Sequence, residues 1–278
     1  MVSGLPPREN PRPVPNAPRP AAGGRLLAVP VIIGLNVVVF VAWWASSGSP
    51  LLRALMALNF VVSTAHLKAG LVWTLVTSEF SHIEFWHIAI NMFVLWSFGR
   101  LLERLWGTRT FTGFFLVAAV IASVSHCGVS SLLLGDGTRG AVGASGAVSG
   151  LLVAYALTFP RHRIYLFGVV PIPAMVGALG FIALDLWGLF AQTQGGGLAI
   201  GHGAHLGGAL AGALMYRLYL RDRFGEKVAA LTRGDLSRAE VAELERIRVK
   251  VRDRGVAGLD SSEHEFLMRL RDRFSRPN

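Results

Sequence analysis

Ser145 sits between glycines in GAVGASGAVSG, residues 140–150, at the head of an apolar segment. Lipid gives its hydroxyl nothing to bond, so the residue has two readings. Small residues let helices approach closely, and Ser145 is then one packing residue among several. Alternatively it is a nucleophile, which a serine becomes only when a base takes its proton. A base is available in HGAHLGGALAG, residues 202–212, where His205 lies in a second apolar segment. The stretch HIAIN, residues 87–91, sets His87 and Asn91 four apart on one helical face, where both could donate to a developing oxyanion. Asp185 is the only acid within a predicted span, and an ionisable group at that depth is a functional candidate by default.

The elements that carry these residues follow from composition. The chain has 278 residues, 52% hydrophobic and 16% charged, and its mean hydropathy is +0.48. That excludes an ordinary soluble domain and predicts an all-α membrane protein. Apolar runs at 26–45, 85–102, 110–134, 141–158, 164–192 and 199–220 predict six transmembrane helices. Leu26–Ala45 is too long for a signal-peptide core and is retained as a span. With six spans, the N-terminal arginines, Arg100, Arg104 and Arg109, Arg161 and Arg163, and Arg217, Arg221 and Arg223 share one side. The positive-inside rule then places both termini in the cytoplasm and makes 50–84 a large external loop seated partly in the interface. On this topology Ser145, His205 and the His87–Asn91 pair, from three spans, lie at one depth below the external surface.

Residues 1–25, rich in proline and arginine, predict a disordered cytoplasmic tail, 26–220 the membrane domain, and 221–278 a cytoplasmic helical tail. In that last part, SRAEVAELERIRVKVRDRG opens on a Ser237–Glu240 capping box and stops at Gly255, with Val241, Leu244, Ile247 and Val251 on one face. The net charge of +10 is spread in short clusters between apolar runs, as membrane topology requires, so no nucleic-acid partner is expected. Cys127 is the single cysteine, which leaves no disulfide framework. His202 and His205 with His82 or His87 could bind a metal, but HExxH is absent and no acidic ligand accompanies these histidines in sequence. No metal and no cofactor are therefore expected. A solute transporter would carry its polar residues at the midplane and repeat one half of the chain, and neither pattern is found.

These motifs together resemble the rhomboid family of intramembrane serine proteases over roughly 26–220. GASG (143–146) is similar to the family's GxSG nucleophile motif, and AHLGGALAG (204–212) to its AHxxGxxxG. HIEFWHIAIN (82–91) resembles the histidine and asparagine element of the second span, and LLERLWG (101–107) the glutamate-containing turn after it. The resemblance implies a six-helix rhomboid-like bundle, a Ser145–His205 dyad without a required aspartate, and oxyanion support from His87, Asn91 and Gly143 with the Ser145 amide. It also implies cleavage of other membrane proteins in or near their transmembrane segments, with Asp185 a gate or cavity-wall residue. The alternative is a pseudoprotease that binds membrane helices without cutting, but such proteins typically lack the serine or the histidine. Thr74 follows Trp73 where the family often has arginine, and Ser149 stands where many members carry an aromatic supporting the histidine ring. The richness in Ala, Gly, Arg and Leu suggests a bacterial cytoplasmic membrane.

Overall fold

The computed structural model describes residues 26–166, 169–198, 200–225, 228 and 238–275. The N-terminal tail and Ser237 lie outside them. The contact pattern divides the chain into two units, Met1–Leu214 and Met215–Asn278.

The first unit is a helical membrane bundle. Among the described residues, four helical segments are long and apolar enough to cross a bilayer: Ala28–Gly48, Phe85–Trp106, Thr108–Leu133 and Ala174–Thr193. The first contains α1, Ala28–Ala45. Between it and the second come α2 (Pro50–Phe60), α3 (Thr64–Lys68) and α4 (Thr74–Thr77). At 11 residues α2 spans only about 16 Å, too short to cross. The indole Nε1 of Trp43 donates to Ser81 Oγ at 2.7 Å, tying this loop to α1. The second long segment runs as α5 (Phe85–Val94), a π turn at Leu95–Gly99, and α6 (Arg100–Trp106). Gly107, at φ +83°, breaks it before α7, Thr108–Gly128. Glu103, fully buried, holds that corner: its carboxylate accepts from the Ala28 and Val29 amides and from Thr108 Oγ1, at 2.8, 3.1 and 2.7 Å. It both caps the orphan donors of α1 and fixes the α6–α7 turn.

At the centre stands α8, Ser145–Thr158, with 11 of its 14 residues buried. A helix buried on every side needs no polar face, and this one has none. It packs on α7, where the fully buried Ala118 and Ala122 stand against Gly150 and Gly146. The predicted span 141–158 thus begins four residues late, and Ser145 is the first helical residue, not the fifth of a span. The predicted span 164–192 is also corrected. Arg163–Leu166 (β1) and Val170–Pro173 (β2) pair antiparallel, with Arg163 opposite Pro173. Pro171 and Pro173 have no amide to donate, and the β-branched residues around them favour extended backbone. Only after this hairpin does α9, Ala174–Thr193, begin. The last bundle helix, α10, covers His202–Met215 and continues into a π turn at Tyr216–Leu220. Leu179, Leu184 and Trp187 of α9 and Val31, Leu35 and Val38 of α1 are exposed, as lipid-facing residues must be.

The second unit contains α11 (Arg238–Arg254) and α12 (Ser261–Ser275), with Gly255 at φ +69° ending the first. Ile247 is buried. Asp260 and Glu263 form a reciprocal cap at the start of α12: the Glu263 amide donates to Asp260 Oδ1 at 2.9 Å and the Asp260 amide to Glu263 Oε2 at 2.8 Å. The buried Glu263 carboxylate is paired with Lys250 and Arg246, at 2.7 and 3.0 Å.

Candidate active site

A 14-residue helix rises about 21 Å, well short of a hydrocarbon core of about 30 Å, so one end of α8 starts at membrane depth. Irregular backbone is tolerated there only when protein or a water-filled cavity satisfies it. The turn before Ser145 meets that condition. The Gly143 amide donates to Ser78 O at 2.9 Å, and Ala141 exchanges backbone bonds with Val62 at 2.8 and 3.0 Å. One turn into α8, the Ala147 amide donates to Glu79 Oε2 at 3.1 Å, while the Ala144 amide faces His82 Nε2 at 3.4 Å. Gly143 has φ +117°, and a Cβ there would stand 2.5 Å from His87 Cε1. Only glycine permits both the turn and the imidazole against it.

The base arrives through glycines. A Cβ on Gly208 would lie 1.9 Å from Gly146 O, and one on Gly212 would lie 2.1 Å from Gly150 O. The backbones of α8 and α10 therefore touch, in the manner of small-residue packing between membrane helices. The packing reading of GASG holds, and the same packing presents Ser145 to α10. Ser145 Oγ and His205 Nε2 are 2.8 Å apart. On the far side of the ring, His205 Nδ1 is 2.9 Å from Asp185 Oδ1 of α9, and His202 Nδ1 is 2.7 Å from the same oxygen. Phe181 stacks near the ring, with centroids 5.5 Å apart and planes 33° apart.

Ser145, His205, His87, Asn91 and Gly143 line one cavity of about 770 Å³. Asn91 is buried and spends one amide hydrogen on His87 O at 2.9 Å. Ser149 bonds back to Ser145 O at 2.6 Å and gives the histidine nothing. Its place beside the imidazole is taken by Phe181 and Asp185, both from α9. Thr74 likewise bonds its own turn, to Leu71 O at 2.6 Å. Sequence reasoning missed four contacts. Glu79 and His82, inside the 50–84 loop, brace the serine turn, and Asp185 and His202 stand behind His205. His82 and His202 had a visible signal, each lying in a motif already singled out. Glu79 had none.

Such a site can do proton transfer and nucleophilic attack: a hydroxyl, an imidazole in contact with it, a carboxylate on the imidazole's other nitrogen, and neighbouring donors around a cavity. Residues 69–222 match the Rhomboid domain family. The chain belongs to the rhomboid family. It is 31% identical over 209 residues to the mitochondrial RHOMBOID-like protein 12 of Arabidopsis thaliana, covering 70% of this chain and 60% of that protein. It is 32% identical over 184 residues to the mitochondrial Rhomboid protein 1 of Saccharomyces cerevisiae, covering 66% and 50%. To the human mitochondrial Presenilin-associated rhomboid-like protein it is 33% identical over 188 residues, covering 65% and 45%. The chain thus spans about half the length of the curated relatives it matches. This rhomboid is an all-α membrane bundle of a family associated with intramembrane proteolysis. The names of these relatives, all mitochondrial, overturn the expectation of a bacterial cytoplasmic membrane drawn from composition, which reports nucleotide bias as much as compartment.

Proposed function

We propose that this rhomboid is an intramembrane serine endopeptidase that cleaves other membrane proteins in or near their transmembrane segments. The observation that carries the reading is the 2.8 Å contact between His205 Nε2 and Ser145 Oγ, backed by Asp185 at 2.9 Å from Nδ1. In the neutral ring, Nδ1–H donates to Asp185 Oδ1, which leaves the Nε2 lone pair toward the hydroxyl. His205 takes the Ser145 proton as Oγ attacks the scissile carbonyl, then passes it to the leaving amine. Water from the cavity, deprotonated by the same ring, releases the acyl group. The carbonyl oxygen gains charge beside the Ser145 amide, His87 and Asn91, in a site where such donors act more strongly than in water. A regular substrate helix hides its amides, so helix-breaking residues at the cleavage point favour turnover. The names of the relatives support a mitochondrial membrane as its setting.

The test is cleavage of a panel of single-pass substrates by the purified chain in detergent, with fluorophosphonate labelling alongside. Label is expected on Ser145, and Ser145→Ala and His205→Ala are each expected to abolish turnover, because members of one catalytic unit are not additive. Label on another residue, or cutting by folded Ser145→Ala, would remove the assignment. A folded wild type that binds these helices and cuts none of them would be the pseudoprotease.

A further inference from the structure

His202 has no place in the reaction just described, yet it is only 6% exposed and turns its Nδ1 onto the carboxylate that holds the catalytic ring. Room has been made for it. A Cβ on Gly188, one turn along α9 from Asp185, would fall 2.2 Å from His202 Nε2. Two imidazole nitrogens and a carboxylate oxygen, drawn from α9 and α10, lie within 4.8 Å of one another. The second carboxylate oxygen, Asp185 Oδ2, is buried without any hydrogen-bond partner. An acceptor orphaned in this way is costly and points to a ligand that would satisfy it. Both histidines also border the cavity, so a small ion from the aqueous side has a path in.

We infer that Asp185, His202 and His205 form a zinc site whose occupation switches the protease off. Two neutral imidazoles and one carboxylate are a suitable set for Zn²⁺, with a cavity water as fourth ligand, and they do not suit Mg²⁺ or Ca²⁺, which require mostly oxygen. The present Nδ1–Oδ1 separations of 2.7 and 2.9 Å are hydrogen-bond distances. Tetrahedral zinc holds such atoms about 3.3 Å apart, so each nitrogen must withdraw from Oδ1 by about half an ångström while the two nitrogens, within 4.8 Å of one another, draw together. Rotation of Asp185 toward its unpartnered Oδ2 supplies that freedom.

The consequence for His205 follows from its two nitrogens. Zinc takes the lone pair of Nδ1, so the neutral ring must carry its proton on Nε2. That nitrogen then faces Ser145 as a donor and has no lone pair to accept the hydroxyl proton. The serine loses its base while the fold stays unchanged. This inhibition rests on the protease reading; the metal site does not.

The experiment uses the full chain in detergent, titrated with ZnCl₂, and reads three quantities: zinc bound in competition with a chromophoric chelator, the thermal midpoint, and substrate cleavage. One equivalent is expected on wild type and on Ser145→Ala, with a raised midpoint in both, since a ligand held only by the folded state stabilises it. Cleavage by wild type should stop as zinc binds and return with EDTA, and MgCl₂ should do nothing. His202→Gln, and separately Asp185→Asn, should weaken zinc binding by more than about tenfold. Their midpoints without metal report whether they are folded. Absence of bound zinc on wild type, unchanged affinity in a folded His202→Gln, or equal inhibition by MgCl₂ would overturn the site. Zinc bound by both chains with no cleavage at any concentration would sustain the site and overturn the protease reading. Zinc bound without inhibition of an active wild type would overturn the switch.

Discussion

A neutral imidazole has two tautomers, and only the one protonated on Nδ1 can serve Ser145 as a base. In the proposed reaction Asp185 Oδ1, 2.9 Å from His205 Nδ1, selects it, a contact beyond the expected dyad, for which no aspartate was required. Asparagine at the same place can present an N–H to Nδ1 and favour the other tautomer. Asp185→Asn should therefore lower kcat about 10²–10⁴-fold with little change in KM, as loss of a tautomer-fixing carboxylate does. A loss of less than tenfold, measured on a folded variant, would return Asp185 to the cavity wall. Asn91→Ala should cost about 10²–10³-fold if it supplies one oxyanion bond, and the same assay reads it. An expected depth for these residues was legible in the sequence, since 1.5 Å per residue converts position into height, but that of Ser145 was drawn from a span start four residues too early. Azimuth was not legible. Nothing in an apolar run with a displaced start tells which way residue 185 faces, and the hairpin at 163–173 displaced the start of α9 by ten residues.

Helix contact in lipid is decided by how closely backbones can approach, and glycine is the residue that decides it. The Gly146–Gly208 and Gly150–Gly212 contacts set the distance between α8 and α10, and through it the distance from Ser145 to His205. A methyl on Gly208 has no room at 1.9 Å from a carbonyl oxygen, so Gly208→Ala must push the helices apart. It should lower stability by about 1–3 kcal/mol and reduce cleavage, although it touches neither reacting group. A thermal midpoint and fluorophosphonate labelling rate would read the two effects together; wild-type values for both would show that the helices do not meet there. This spacing was readable in the sequence as GxxxG. The hairpin was not, because a short apolar run looks the same in a strand and in a buried helix. In the second unit, hydrogen bonds from the Ser262 hydroxyl and the Glu263 amide, with the Lys250 ammonium beside it, hold the Asp260 carboxyl well below the usual aspartate range. A depressed folded pKa gives stability that is present above the unfolded value of about 3.9 and is lost as pH falls below it. Amide exchange in α12, corrected for its intrinsic pH dependence, should accelerate below that value and lose this pH response in Asp260→Ala.

Charge placement sets how the whole bundle sits in its membrane. α8 joins two loops that leave its opposite ends: 135–140, with Asp136, before the serine, and 159–162, with Arg161, after it. Most arginines of the membrane domain fall at 100–109, 161–163 and 217–223, the connections reached after even numbers of crossings, while the side of Ser145 carries Arg139 and the long 50–84 loop with Arg53 and Lys68. That asymmetry, read with six crossings, predicts both ends of the membrane domain on the arginine-rich side and the cavity open on the other. Single cysteines test it directly. The native Cys127 is buried in α7, so Cys127→Ala gives a background of low reactivity at modest structural cost. In oriented vesicles, cysteine placed at Thr138 should react with an impermeant maleimide added to one face, and cysteine at Arg161 only with reagent added to the other. Positions 27 and 222 should follow Arg161. Labelling of Thr138 and Arg161 from the same face would mean that α8, at 14 residues, does not separate the two sides, and the six-span arrangement would have to be abandoned.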